Sequence, residues 1–308
     1  MSYHPVVHER LQWISEQLPD LRIRKWKVDE QGWDNIVIMI NDTWIFRFPR
    51  NVQVQKRLEL EKQLLDKIKD PLTEINVEVP MYRLMYDSMG KLPVCSFYKM
   101  IKGIPLKSHL IQRLSPIKRH RMTDTLGEVL AIIHSFDIKQ IDLKGLEEEH
   151  TQAYWEDHFS DIKQKVFPLL AEWEQVKVTQ LFDTFLTKWH IADLPKTLIH
   201  GDLSHHHIIY SEDKQRISGI IDFGDAKIGD PAYDFSGLYW DYGKDFLLHT
   251  LKRYRHCIPM HVDICDMYER IVSFYGKRPI FNDILYGIEK HLSSYLEKKL
   301  NKLRRSLR

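Results

Sequence analysis

Cysteine is scarce in this chain. Cys95, Cys257 and Cys265 are the only three, and their spacing fits neither a disulfide framework nor a thiolate metal site. A low, odd count suits a reducing compartment. Long apolar runs are also missing: none reaches the roughly 18 residues that a spanning helix needs. The N-terminus, MSYHPVVHERLQWISEQL, lacks the basic-then-apolar order of a secretory leader. These absences predict a cytoplasmic protein with no membrane partner. Neither charge sign dominates, with 45 basic and 43 acidic residues and a net charge of +2, which argues against a nucleic-acid binder. No internal repeat and no low-complexity stretch is present. What is there is 43% hydrophobic and 29% charged, an ordinary globular composition at a length that predicts two lobes.

Residues 196–235, KTLIHGDLSHHHIIYSEDKQRISGIIDFGDAKIGDPAYDF, organise the rest. Short β-rich runs at 197–200, 207–210 and 217–221 alternate with polar loops, and Ser211-Glu212-Asp213 reads as the turn of a hairpin. Such a hairpin holds two loops side by side, one with Asp202 and His207, the other opening with Asp222. A lone Asp in a loop is usually a turn former or cap. Two Asp loops in this order suit phosphoryl transfer, which needs a carboxylate to take a hydroxyl proton. It also needs a second carboxylate and a neutral donor to hold divalent metal against nucleotide phosphates. Three adjacent histidines in extended chain point alternately to opposite faces, so His205-His206-His207 does not predict a zinc site. His205 and His206 are expected to face solvent, and His200 to brace the loop.

His200-x-Asp202, with His207 five residues on and then Ile221-Asp222-Phe223-Gly224, resembles the catalytic and metal loops of the aminoglycoside phosphotransferase family, antibiotic kinases related to protein kinases. The family commonly has Asn where His207 stands; its 2″-aminoglycoside and macrolide 2′-phosphotransferase branches resemble this chain in having His. Gly229-Asp230-Pro231 and Asp234 fit the same pattern. The resemblance implies an α+β, protein-kinase-like two-lobed fold: a small antiparallel β N-lobe over 1–101 and a larger, mainly helical C-lobe over 102–308. It implies a monomeric small-molecule kinase that moves the γ-phosphoryl of GTP or ATP, with Mg²⁺, to a hydroxyl. In it Asp202 is the base, and His207 and Asp222 hold the metal.

In the N-lobe, a helix over 6–17 precedes strands at 21–28, 35–40 and 44–48, with Asn41-Asp42 as a hairpin turn. Gly32 is the one glycine in the loop expected to fold over the phosphates. Arg47 stands where the kinase template has a Lys that contacts them. The next helix, 52–69, offers Glu59 and Glu61, of which the family pattern selects Glu61 as the Arg47 partner. Asp70-Pro71 is expected to break that helix. Strands at 77–86 and 91–100, joined by Ser88-Met89-Gly90, lead to a hinge at 100–106. There the resemblance implies that the backbone of Lys99 and Ile101 reads the base, with Tyr98 at the back of the pocket, where likeness to the 2″ branch implies that its bulk favours guanine over adenine.

The C-lobe reads as helices over 117–135, with His134 packed inside, 151–167 and 170–189 with a break at Pro168, 236–255, 262–275 and 282–300. The basic tail from Lys298 is expected to be a frayed, solvated helix end. The acceptor binds beside Asp202. A polycationic aminoglycoside needs an acidic wall, for which Asp225, Asp230, Asp241, Asp245, Glu269, Asp283 and Glu289 are available, although Asp230 and Asp234 are also suited to holding the loop. Tyr239-Trp240 gives an aromatic lining that suits a large apolar acceptor such as a macrolide. The sequence reading is a 2″-type aminoglycoside kinase. A macrolide kinase, a resident metabolite kinase and a nucleotide-binding pseudokinase remain open.

Overall fold

The computed structural model describes residues 5–30, 32, 34–87, 90–140, 146 and 148–307. It divides into two compact units, Met1–Lys102 with Ser218–Gly224, and Gly103–Ile217 with Asp225–Arg308.

The first unit opens with α1 (Pro5–Gln17), whose helical spacing buries Val7, Leu11 and Ile14. Strands β1 (Trp26–Asp29), β2 (Asn35–Ile40), β3 (Trp44–Pro49), β4 (Arg83–Tyr86) and β5 (Pro93–Lys99) form one antiparallel sheet in the order β1-β2-β3-β5-β4. Asn41 and Asp42 sit at φ 55° and 48°, the left-handed pair at the centre of a tight turn closed by the Thr43 amide on the Ile40 carbonyl at 3.0 Å. The alternation along β2, β3 and β5 sends Ile38, Ile40, Phe46 and Phe97 into one cluster with α1, and Phe46 stacks on Phe97 at 5.1 Å. Cys95 lies in the same core, where burial pushes its thiol well above the ordinary range, leaving it inert.

Three expectations for this unit need correction. Residues 21–25 are outside the sheet: the Asn41 side chain takes the amides of Arg24 and Lys25 and donates to the Arg22 carbonyl, so those groups need no strand partner. Helix α2 (Val52–Glu74), capped by Asn51, runs straight through Pro71. Proline there removes one hydrogen bond near the helix end, and full burial of Leu72 offsets it. Residues 77–79 do not continue into β4. Instead Glu78 donates its amide to the Ser218 carbonyl at 2.9 Å and accepts from the Ile220 amide at 3.0 Å, clamping the 218–224 segment into this unit. The turn expected at Ser88-Met89 lies outside the described residues.

The second unit contains β6 (Ile104–Pro105), α3 (Ser108–Arg113), α4 (Pro116–His134), α5 (Gln152–Lys165), α6 (Glu172–Lys188), β7 (Thr197–Ile199), β8 (Ile208–Ser211), the start of β9 (Arg216–Ile220), β10 (Lys227–Gly229) and α7 (Phe235–Tyr242) to α11. The last four helices are α8 (Lys244–Cys257), α9 (Ile264–Arg270), α10 (Arg278–Glu289) and α11 (Ser293–Leu307). β6 pairs with β8 and β7 with β10, both antiparallel. Around Pro168 the chain makes a 3₁₀ turn, Phe167–Leu169, as expected of a residue without an N–H. An aromatic core holds the helices, with Phe185 stacked on Phe274 at 3.7 Å and Trp155 edge-on to both.

The later helices differ from expectation where the backbone turns left-handed. Gly243 at φ 86° splits the expected 236–255 helix into α7 and α8, and His291 at φ 54° separates α10 from α11. The basic tail is helical and not frayed, although Lys298, Lys302 and Arg305 are exposed as expected. In α11, Leu300 and Leu303 are buried, and Arg304 reaches the Glu174 carboxylate at 3.0 Å.

Candidate active site

In the first unit the site is built on β3, α2 and the 218–224 segment. Alternation along β3, opposite Val37 and Ser96, points Arg47 inward, where its side chain is 8% exposed. Its fork is divided: Nη1 meets Glu61 Oε1 at 2.8 Å and Nη2 meets Asp222 Oδ1 at 2.9 Å. The Tyr82 hydroxyl donates to the same Glu61 oxygen at 2.7 Å. Burial pushes the Glu61 carboxyl up to about 7, against the pull of Arg47. Burial also works to lower Arg47, but the facing Glu61 and Asp222 overcome it and hold the guanidinium charged. A lysine has no planar fork with which to span two carboxylates at these distances, so the Arg at this position has a structural consequence. Asp222 sits at φ 67° with its side chain 46% exposed. A non-glycine residue held left-handed is a strained conformation of the kind found at functional positions.

The remaining first-unit residues are placed as follows. Gly32 is exposed; its carbonyl accepts from Arg50 Nε at 2.9 Å, and its backbone does not need the left-handed freedom of glycine. Tyr98 is buried opposite Ile45, its ring 5.3 Å from that of Tyr82, and burial raises its hydroxyl to about 12. Lys99 ends β5 with an exposed side chain opposite Trp44. Ile101 is buried against the backbone position of Gly219. Glu59, the alternative to Glu61, accepts instead from the Tyr86 hydroxyl at 3.0 Å on the surface.

In the second unit β7 delivers the loop that carries Asp202 and His207. Asp234 secures its start: the amides of His200 and Gly201 donate to its two oxygens at 2.7 and 2.9 Å, and His134 Nε2 lies 3.1 Å away. The Tyr254 hydroxyl is 3.0 Å from His134 Nδ1, which fits a chain from tyrosine through histidine to carboxylate. Burial alone would raise the Asp234 carboxyl, but the His134 bond, the neighbouring His200 and the Gly201 amide hold it below the ordinary range. Asp230 caps the next turn through the Ala232 amide at 2.9 Å and is held by Arg270 at 2.8 Å and Tyr275 at 3.0 Å. Gly201 needs φ 84° and close approach, since a Cβ there would lie 2.1 Å from the Asp225 carbonyl. Gly237 lets α7 sit on the loop, because a Cβ would come within 2.0 Å of the Leu203 carbonyl.

Asp202 itself presents a carboxylate that is 57% exposed. His207 Nδ1 faces the Asp202 carbonyl at 2.6 Å, which as the donor places the ring lone pair on Nε2. His205 does not simply face solvent: its amide and Nδ1 meet the two Asp241 oxygens at 2.8 and 2.7 Å, pinning the loop to α7. Asp225 is exposed, Tyr239 is half-buried beside Gly276, and Trp240 is covered on one face by the Lys302 ammonium at 3.6 Å. Among the described residues, no group of three or more His, Cys, Asp or Glu side chains is placed to hold a metal, the three adjacent histidines included. The buried supports His134, Tyr254, Arg270 and Tyr275 are far from the loop in sequence, and nothing in their spacing announces them.

A model of the phosphotransferase enzyme family matches residues 25–257. The chain belongs to this family. An uncharacterized protein of Bacillus subtilis (strain 168), YcbJ, is 26% identical over 223 residues, 68% of each chain. The solved GDP complex of an aminoglycoside 2′-phosphotransferase-IIIa mutant is 25% identical, with a TM-score of 0.85 over 97% of this chain and 96% of that one. A macrolide 2′-phosphotransferase type I shares the fold at 18% identity, with a TM-score of 0.69 over 98% and 99% of the two chains. This phosphotransferase therefore has the protein-kinase-like α+β fold expected of it and is an NTP-dependent O-phosphotransferase. Among the described residues no helix is long and apolar enough to cross a membrane.

Proposed function

We propose that this phosphotransferase moves the γ-phosphoryl of GTP or ATP to a hydroxyl of a small, antibiotic-like molecule. The observation that carries the proposal is Arg47 held between Glu61 and Asp222, a charged fork fixed for phosphate. Asp202 orients the acceptor hydroxyl and takes its proton. His207 through Nε2 and Asp222 through its carboxylate would hold Mg²⁺, which supplies neutralisation of the charge on the transferring phosphates. Two protein ligands suit that ion, because Mg²⁺ usually keeps several waters and substrate oxygens. Arg47 contacts the phosphates, and Lys99, Ile101 and Tyr98 line the base. Gly32 lies in the loop over the phosphates. Most of the rate enhancement then comes from positioning and fixed charge.

Likeness to an aminoglycoside phosphotransferase supports an aminoglycoside acceptor. The aromatic pair Tyr239-Trp240 on α7 favours a second reading, a macrolide-like acceptor. An acceptor screen tests the proposal: aminoglycosides, macrolides, choline and sugars, each with Mg²⁺ and GTP or ATP, scored for phosphorylated product. At least one acceptor is expected to be phosphorylated. A protein that binds nucleotide and phosphorylates none of them would instead be a regulatory nucleotide-binding module.

A further inference from the structure

A polycationic acceptor needs carboxylates that are open to it, because an ammonium group taken out of water must be paired. In the second unit most of the carboxylates near α7 and the C-terminal helices are already engaged by the chain itself. Both oxygens of Asp241 are taken by His205, through its amide and its ring. Asp283 is paired with Lys299 and accepts from the Tyr295 hydroxyl at 2.7 Å. Asp230 is enclosed by Arg270 and Tyr275. Glu269 pairs with Lys188, and Glu289 with Lys290. Asp225, Asp245 and Glu297 remain as exposed carboxylates, and the Glu269 and Glu289 pairs lie on the surface, where such pairs are weak.

The aromatic side of the same surface is also occupied. Trp240 is 36% exposed, and the ammonium of Lys302 sits 3.6 Å from its ring centroid, where a substrate cation would gain most. Lys302 is held there by α11, whose Leu300 and Leu303 are buried and whose Arg304 is tied to Glu174. The lysine is therefore carried on an anchored helix and not on a loose tail.

We infer that Lys302 is an acceptor-specificity residue: it occupies the cation position on Trp240, so that this enzyme disfavours polycationic acceptors and takes one with few positive charges and an apolar face. The inference rests on the phosphotransferase reading and narrows its substrate class.

The test is calorimetric titration of kanamycin, a polycation, onto wild type, Lys302→Met, Lys302→Glu and, as a control for charge on the same helix, Lys298→Met. Lys302→Met is expected to bind kanamycin about fivefold more tightly than wild type, the factor of one exposed cation–π contact. Lys302→Glu is expected to gain roughly tenfold or more, since attraction replaces competition. Lys298→Met should stay within about twofold of wild type. The inference is overturned if wild type already binds kanamycin as tightly as Lys302→Glu, if neither Lys302 variant gains, or if Lys298→Met gains as much. A parallel titration of wild type with Mg²⁺ and GTP separates the two claims. Absence of nucleotide binding would sink the phosphotransferase reading, whereas the kanamycin titrations bear on Lys302 alone.

Discussion

Arg47→Met removes the guanidinium that is hydrogen-bonded to the buried Glu61 carboxylate. Glu61 keeps the Tyr82 hydroxyl and the weaker pull of Arg57, while Asp222 is half-exposed and can be rehydrated. Breaking a buried pair from one side costs about 3–5 kcal/mol. For a chain of this size each kcal/mol lowers Tm by about 2–4 °C, so the expected loss is on the order of 6–20 °C. The loss depends on pH, and its sign follows from Glu61. With its carboxyl already pushed up to about 7 by burial, Glu61 is more easily protonated folded than unfolded. The stability that the neutral acid contributes is complete below the unfolded value and is lost as pH rises through the folded one. Arg47→Met should therefore melt closer to wild type at pH 5 than at pH 8. The double variant Arg47→Met/Glu61→Leu replaces both charges with apolar groups and should recover at least half of the lost Tm, while phosphoryl transfer stays lost. Scanning calorimetry at pH 5 and pH 8 provides the assay. A single variant within about 2 °C of wild type at pH 8, or a double variant no more stable than the single, would refute the reasoning.

Asp234 gives an acid-side prediction. Its carboxyl lies below the ordinary range when folded, so the stability it contributes is present above the unfolded value and is lost as pH falls through the folded one. Asp234→Asn should be less stable than wild type near pH 7 and lose less on acidification from pH 5 to pH 3, as read by circular dichroism. Gly237→Ala places a methyl against the Leu203 carbonyl, one residue from Asp202. Shifting the loop by even part of an ångström is expected to lower kcat about 10- to 100-fold, with a loss of about 1–3 kcal/mol in stability. Activity near wild type in Gly237→Ala would show that the contact between α7 and the loop does not position the base.

The parts of the fold that were legible in the sequence are those set by local rules. β2 is bounded by strand alternation and β3 runs one residue past its expected end, and the Asn41-Asp42 turn is set by residues that tolerate left-handed backbone. The Asp202, Asp222 and Asp234 motifs carried the family, and the choice of Glu61 over Glu59 as the Arg47 partner agrees with the 2.8 Å contact. What stayed hidden depends on groups distant in sequence. Pro71 inside α2 is tolerated because of what Leu72 buries, and residues 21–25 leave the sheet because Asn41 satisfies their backbone. The breaks at Gly243 and His291 fall inside amphipathic patterns that read as continuous. The His134–Asp234 and Arg270–Asp230 pairs join residues 100 and 40 positions apart, a distance at which periodicity is silent. His205 looked like one of three equivalent loop histidines, and only its contact with Asp241 sets it apart.

The central claim is a division of labour: Asp222 serves the metal–nucleotide and Asp202 serves the acceptor. It is tested most directly by measuring Mg²⁺-dependent GTP affinity and turnover, with the best acceptor from the screen, in wild type, Asp222→Asn and Asp202→Asn. The account predicts that Asp222→Asn loses the Mg²⁺ dependence of GTP binding. It predicts that Asp202→Asn keeps GTP affinity while its turnover falls by about 10²- to 10⁴-fold, the range of a general base. Turnover by Asp202→Asn within about tenfold of wild type, a loss of only ~1.4 kcal/mol of transition-state stabilisation, would contradict it.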